Sequence, residues 1–249
     1  EALTNLGQTL CRVGMLDKAE YFLVEALKLA PRHADAHHYL GYALMMQHRV
    51  AEAERHLGAA LAIVPGMAGY LSTLGLLREK QQRVAEATEL FEQAVKASPS
   101  LPAAWNNLGN VHGAIWGNYE LALTCFNRTL ELNPHYGEAR FHRGMVELVL
   151  GDFERGWADY EYRPTNLNKS QERYDRPRWQ GEDISGKTIL LHFEQGLGDT
   201  LQFIRYAQRV KALGATAICE VQKPLVALLK NTPGIDALLG EGDALPPHD

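Results

Sequence analysis

The stretch LGYALMMQHRVAEAERHLGAALAIVP, residues 40–65, decides how the chain folds. Its Leu40-Gly41 pair returns as Leu6-Gly7, Leu74-Gly75 and Leu108-Gly109, each 34 residues from the next. Its Ala53 has counterparts in Ala19 and Ala87, its Leu57 in Leu23 and Phe91, and its Ala60 in Ala26 and Ala94. Pro65 stands midway between Pro31 and Pro99, and Pro134 follows 35 residues later. Interlocked columns at one period mark a repeat protein. Small residues at fixed places let two helix backbones approach, and large ones fill the gaps between neighbours. The proline ends the second helix, because it lacks an N–H and clashes with the preceding turn. Each repeat therefore reads as two helices, the first carrying Leu-Gly and the second carrying the Ala, Leu or Phe, and Ala.

Gly14 supplies the turn between the two helices of the first repeat, and His48 and Gln82 hold that place in the next two. Repeat four has one extra residue, placed near Gly117-Asn118. A fifth, degenerate unit follows, with Gly144 and Gly151 at the glycine positions, a second helix from Asp152 to Tyr162 and an early closing Pro164. It reads as the cap of a stack that covers residues 1–163, since terminal repeats are usually atypical.

These columns, with Trp105 ahead of Leu108-Gly109, resemble the tetratricopeptide repeat family. The resemblance implies an all-α solenoid, a superhelix of about five helix pairs, whose concave face takes a protein or peptide partner. The inner face of the first helices falls on Asn5, Gln8 and Arg12, then Tyr39, Tyr42 and Met46, then Thr73, Leu76 and Lys80, and last Asn107 and Asn110. Asn offers donors and an acceptor to any peptide backbone, while Tyr and Met add adaptable apolar contact. The plainer reading is an inner face that is merely polar and exposed. The ends of the stack offer surfaces for self-association into a homo-oligomer.

After Tyr162 the period stops. Residues 164–186 form a polar linker rich in Pro and Gly, within which Trp179 is expected to pack against a flanking domain. From Lys187 the pattern becomes strand–helix alternation. Thr188 to Phe193, Ala215 to Val221 and Ile235 to Leu239 read as strands, and Asp199 to Leu213 and Pro224 to Lys230 as helices. This order implies a parallel sheet, so residues 187–249 read as a partial α/β Rossmann-like domain. Three strands and two helices rarely bury enough surface to stand alone, and the expectation is a chain cut from a longer protein.

The turn Gly196-Leu197-Gly198-Asp199 is the one motif here that points to chemistry. Glycines let a backbone approach a ligand, and the carboxyl end of a first strand is where open α/β sheets place their sites. Gly198-Asp199, Pro224-Leu225 and Thr232-Pro233-Gly234-Ile235-Asp236 resemble the N-terminal half of the family 9, heptosyltransferase-like glycosyltransferases of GT-B architecture, although Glu194-Gln195 stand where that family carries Arg or Lys. Repeats ahead of such a domain also resemble the O-GlcNAc transferase architecture. The resemblance implies that Asp199 is a catalytic base, that Gly196, Gly198 and His192 line the substrate site, and that a nucleotide-sugar donor binds a second domain outside this chain. On that reading residues 1–249 alone are inactive. Read from the residues alone, Asp199 is as well a helix N-cap, and His192 is a wall or core histidine. The alternative function is a non-catalytic interaction scaffold with a degenerate α/β remnant.

Composition narrows the field further. The chain has 249 residues, 46% hydrophobic and 22% charged, with 25 basic against 30 acidic side chains and a net charge of −5. Such a balance argues against a nucleic-acid binder, which concentrates basic residues on one face. No apolar run reaches the ~18 residues of a membrane span. Cys11, Cys125 and Cys219 are scattered and form no CxxC pair, which fits a reducing, cytoplasmic setting and no zinc site. His33, His37 and His38 cluster at a repeat junction, but His37 and His38 are adjacent on a helix and point apart, so no shared metal is expected.

Overall fold

A computed structural model describes residues 1–163, 174, 176–194 and 196–249. The chain divides into two compact units, Glu1–Arg163 and Pro164–Asp249. The first unit is helical throughout. Its helix pairs are α1 (Ala2–Arg12) and α2 (Leu16–Leu29), α3 (Ala34–Met46) and α4 (Val50–Ile63), α5 (Ala68–Lys80) and α6 (Val84–Ala97), α7 (Pro102–Asn110) and α8 (Tyr119–Leu132), and α9 (Gly137–Leu150) and α10 (Phe153–Tyr160).

The Leu-Gly column is explained by what each glycine faces. A Cβ on Gly7 would lie 2.5 Å from Leu23, on Gly41 2.7 Å from Leu57, on Gly75 2.5 Å from Phe91 and on Gly109 2.7 Å from Phe126. The large side chain of the second helix thus lies on the bare backbone of the first. Leu23, Leu57 and Phe91 are fully buried, as are Ala19, Ala53 and Ala87 beside them. Burying each Leu or Phe contributes on the order of 1.5–3 kcal/mol.

The turns between paired helices share one geometry. His48 N–H donates to Met45 O and Arg49 N–H to Leu44 O, which closes α3 with two of its last carbonyls satisfied. The same pair of bonds closes α1 at Gly14 and Met15, α5 at Gln82 and Arg83, and α9 at Gly151 and Asp152. The pivot is left-handed each time, with φ of +76° at Gly14, +63° at His48, +62° at Gln82, +63° at Gly117 and +87° at Gly151. His48 and Gln82 are the only non-glycine residues with positive φ among the described residues.

The extra residue of repeat four does not sit at Gly117-Asn118. It is absorbed by a π-helical turn, Val111–Ile115, that continues α7. A π turn bonds five residues apart instead of four, as Trp116 N–H to Val111 O shows, so it takes up one residue without breaking the helix.

In the fifth unit the glycine faces backbone instead of a side chain. A Cβ on Gly144 would meet backbone, Tyr160 N at 2.7 Å and Gly156 O at 2.8 Å. Gly156 stands in the register of Ala19, Ala53 and Ala87. The second helix is shorter than expected and ends at Tyr160, and Pro164 lies outside the described residues.

The second unit holds β1 (Thr188–His192), α11 (Leu197–Phe203), α12 (Ala207–Ala212), β2 (Thr216–Val221), α13 (Val226–Leu229) and β3 (Ala237–Gly240). The strands form a parallel sheet in the order β1-β2-β3, with Leu191 opposite Cys219 and Ile218 opposite Ala237. The expected single helix from Asp199 starts two residues earlier and is split by a 3-10 turn over Ile204–Tyr206. One face of the sheet packs Ala217 and Cys219 with Ala207 and Val210, and Val221 packs with Leu225 and Leu229. The Pro-Gly turn before β3 is fixed sterically: Gly234 has φ +88°, and a Cβ there would lie 2.6 Å from the Gln208 backbone. Asp236 then accepts from Ala217 N–H and pairs with Lys211, which holds its carboxyl below the usual range. Trp179 is bonded locally, its indole N–H donating to Glu182 O.

Candidate functional site

Consecutive first helices of the stack, α1, α3, α5 and α7, pack more closely than consecutive second helices. A stack tighter along one side curves toward it, so the first-helix face is the concave one. Arg12, Met46 and Lys80 are exposed there, as is Asn5, while Gln8, Tyr39, Tyr42, Leu76, Asn107 and Asn110 are half-buried. Asn5, Gln8 and Tyr39 come together with Glu1, Thr4 and Asp35 around a polar cleft of about 320 Å³.

Thr73 departs from its expected place. It is buried, its hydroxyl donates to Gly69 O at 3.0 Å, and it lies 2.8 Å from His38 Nε2. With its only proton committed, the hydroxyl can receive one from His38 but not give one, so His38 carries its proton on Nε2. His38 Nδ1 is left as a buried acceptor without a partner. The ring lies 4.7 Å from Tyr70 and 4.8 Å from Tyr39. Burial lowers its pKa to about 4, opposed by Asp35. Asp35 in turn accepts from the buried Tyr70 hydroxyl, whose pKa is pushed up by burial and by that bond.

His38 belongs to a column that the sequence reading passed over. Thr4, His38, Ser72 and Asn106 are spaced by 34, and each holds a buried polar atom without a partner: Thr4 Oγ1, His38 Nδ1, Ser72 Oγ and Asn106 Oδ1. The expected column of Asn5, Tyr39, Thr73 and Asn107 lies one residue later, about 100° round the helix. A signal was available, since the third residue before each Leu-Gly glycine is polar in all four repeats.

In the second unit, helix α11 has Gly196 as its N-cap, so Asp199 is the third helical residue and not the cap. Its Oδ2 reaches back to accept from Gly196 N–H at 3.0 Å. That is the carboxylate half of a capping box. A Cβ on Gly198 would meet open space, so this glycine leaves room beside the turn. His192 is half-buried, its Nδ1 3.1 Å from Phe193 O, and its ring stacks on Tyr174 at 4.0 Å and 14°. Tyr174 donates to Glu220 Oε2 at 2.6 Å, and Gly242 N–H donates to Glu220 Oε1. Glu220 is 1% exposed and sits opposite His192 in the sheet. His192, Tyr174 and Glu220 therefore form one linked cluster at the carboxyl end of β1 and β2. Tyr174 and Glu220 were not singled out from sequence. The signal for Glu220 was a carboxylate inside the apolar run Ala217–Val221. Thr200 beside Asp199 donates to Gln222 Oε1 at 2.8 Å.

Among the described residues no group of three or more His, Cys, Asp and Glu is placed to hold a metal, and no helix is long and apolar enough to cross a membrane. His37 and His38 do point apart: His37 Nδ1 lies 2.9 Å from His56 Nδ1, while His38 faces Thr73. All three cysteines are unpaired and buried, which raises the Cys11 and Cys125 thiols to about 11 and Cys219 to about 12.

A stack of this kind, with its paired helices, left-handed pivots and concave first-helix face, defines a helical-repeat protein-interaction scaffold. Residues 12–74 match the tetratricopeptide repeat family, and residues 72–112 and 117–163 match a second description of the same repeat. Through its first unit the chain belongs to the tetratricopeptide repeat family. The unmatched gap at 113–116 falls on the π turn and the residue that follows it. Protein FlbA of Caulobacter vibrioides is 28% identical, over 60% of this chain and 32% of its own length, so the chain spans about a third of that relative. Among solved structures, Pseudomonas aeruginosa PilF superposes with a TM-score of 0.59 at 19% identity, over 85% of this chain and 90% of its own. TTC0263, a thermophilic tetratricopeptide protein of Thermus thermophilus, gives a TM-score of 0.57 at 20% identity, over 70% of this chain and 93% of its own. These two likenesses show the fold.

Proposed function

We propose that the first unit holds an extended protein segment along its first-helix face, and that the polar column Thr4, His38, Ser72 and Asn106 reads the backbone of that segment. The supporting observation is the column itself. Four buried polar atoms without partners recur at the repeat spacing, and each costs about 1–3 kcal/mol unless a partner satisfies it. His38 Nδ1, as a fixed acceptor, suits a peptide N–H. Ser72 and Thr4 hydroxyls serve either direction. Tyr42 and Met46 would contact the segment's side chains. The test is selection of binders from a random peptide library, followed by calorimetry. The double variant Ser72→Ala/Asn106→Leu should weaken a selected peptide by about tenfold or more, near 1.4 kcal/mol, with unchanged helical content. Unchanged affinity across the variants of this column would sink the reading.

We further propose that the second unit is the start of a sugar-transferring α/β domain in a cytoplasmic protein, with the nucleotide-sugar donor held outside residues 1–249. Supporting it are a parallel sheet, a glycine turn with open space at the carboxyl end of its first strand, and the His192–Tyr174–Glu220 cluster beside that turn. Asp199 is committed to Gly196 in this structure, so catalysis by Asp199 requires that bond to be exchanged for one to an acceptor hydroxyl. Asp199→Asn in a protein that also carries the donor half should lower transfer by roughly 10²–10⁴ if Asp199 is the base. Near-normal turnover would leave it as a helix-end residue and favour the interaction scaffold alone.

A further inference from the structure

The fifth unit repeats the register of the others but changes its chemistry. Arg143 stands in the column of Leu6, Leu40, Leu74 and Leu108. Asp159 stands in that of Phe22, His56, Leu90 and Cys125, and Glu147 in that of Leu10, Leu44 and Arg78. These three charges, with Arg155, line a hollow of about 250 Å³ walled by α8, α9 and α10. Two of its three walls are second helices, so it is distinct from the first-helix face.

The hollow is lined by two arginines and two carboxylates, and their pairing leaves one carboxylate oxygen unused. Arg143 Nε donates to Asp159 Oδ2 at 2.6 Å, and Arg143 Nη1 donates to Asn127 Oδ1 at 2.8 Å. Arg155, at the mouth, is 77% exposed and lies 3.5 Å from Asp152. Glu147 is the remainder. It is 7% exposed, its Oε1 is 3.9 Å from Arg143 Nε, and its Oε2 is buried without a partner. Burial raises the Glu147 pKa, as do Asp159 and Asp152, while Arg143 and Arg155 oppose the rise. Of the three wall helices, α8 contributes the uncharged Leu123 and Asn127 to the lining.

We propose that this hollow is a binding site for the ammonium end of a lysine side chain presented by a partner protein. An ammonium is a compact charge with three donors. Glu147 Oε2 offers it a free acceptor, and Asp159 and Asn127 each keep a lone pair beyond their bonds to Arg143. Leu123 and Ala158 supply apolar wall for the methylene stem, which long cationic side chains bury while the head meets polar groups. The hollow lies below the ~300 Å³ at which pockets for larger ligands begin, so it fits one side chain and not a folded segment.

The test is an NMR titration of the full chain with N-acetyl-lysine methylamide and with n-butylammonium, against N-acetyl-norleucine methylamide, which has the stem without the charge. Both cations should shift the Asn127 side-chain amide and the Glu147 carboxyl, and should move the Glu147 titration to lower pH. The norleucine compound should do neither. Glu147→Gln should weaken the cations at least tenfold. Glu147→Leu, which installs the residue of repeats one and two, should abolish binding and raise the melting temperature. Equal binding of the norleucine compound, no saturable shift with either cation, or unchanged affinity in Glu147→Gln would overturn the proposal. So would preferential binding of acetate, which would assign the hollow to its arginines.

Discussion

Repeats one to four and the fifth unit are built on the same register with opposite polarity. In the first four, the residue three places before the helix-packing glycine is polar: Thr4, His38, Ser72 and Asn106. In the fifth it is Phe141. One place before that glycine the first four carry Leu, whereas the fifth carries Arg143. The polar groups have moved from the first-helix face to the side facing the second helices. Both arrangements keep the backbone approach at the glycine, where Gly41 meets Leu57 and Gly144 meets the backbone of Gly156 and Tyr160. Close helix packing therefore defines the unit, and the flanking positions are free to carry different functions.

The largest expected effect breaks the ion pair that sets the fifth unit apart. Arg143→Leu leaves Asp159, only 7% exposed, without its cation. Removing one partner of a buried pair costs about 3–5 kcal/mol, and the 25% exposure of the Arg143 side chain places this case at the low end. Arg143→Leu/Asp159→Cys, which copies Leu108 and Cys125 of repeat four, should recover most of that loss. Urea unfolding followed through Trp157 measures both. A double variant no better than the single would mean that the fifth unit is not a repeat with a swapped pair.

The polar column gives the next effect, through pH. The His38 pKa is lowered from 6.5 to about 4 by burial. A histidine with a depressed folded-state pKa takes up a proton more readily when unfolded, so stability falls as pH drops from 6.5 toward 4. Its contribution is complete above pH 6.5, and the loss reaches up to about 3 kcal/mol at the low end. His38→Gln should flatten the stability profile in that window relative to the parent chain. A peptide N–H bound at Nδ1 should lower the His38 pKa further, and NMR titration with and without a selected peptide reads that shift.

Glycine packing gives a smaller contrast. Gly41→Ala pushes a methyl onto the buried Leu57 side chain, which can shift only by repacking, and should cost on the order of 1 kcal/mol after the gain in helix propensity. Gly144→Ala meets backbone that cannot step aside and should cost roughly 2–3 kcal/mol at the upper range for overpacking. Equal losses in thermal melts would contradict the backbone contact at Gly144.

Most of the solenoid was legible in the sequence because its packing is local and periodic. Gly7, Gly41 and Gly75 could be paired with Leu23, Leu57 and Phe91 by spacing alone. The site was less so. Which of Asn106 and Asn107 is buried depends on one residue of helix rotation, and the choice of column went to the neighbour. The π turn at Val111–Ile115 was seen as an inserted residue but placed a few positions late, because an insertion carries no residue signature of its own. The link from Tyr174 to Glu220 spans 46 residues and two different segments, and no period connects them.

The smallest effect concerns the pivot between paired helices, where repeats two and three differ from the rest. Gly14, Gly117 and Gly151 take the left-handed conformation without steric cost, but His48 and Gln82 carry a Cβ against it. That conformation costs an L-residue about 1–2 kcal/mol. Replacing it by Gly relieves the strain but also frees the unfolded chain, which takes back about 0.4–1 kcal/mol. The net gain should be about 0.5–1 kcal/mol for His48→Gly and the same for Gln82→Gly. His48 and Gln82 are both exposed, so little packing is lost in the exchange. The two sites lie in different repeats, so their effects should add within a few tenths of a kcal/mol. The reverse change, Gly151→Ala, should destabilise by a similar amount. Thermal melts of the three variants check the pivot assignment. A loss of stability in His48→Gly would mean that the imidazole makes a contact that outweighs its backbone strain.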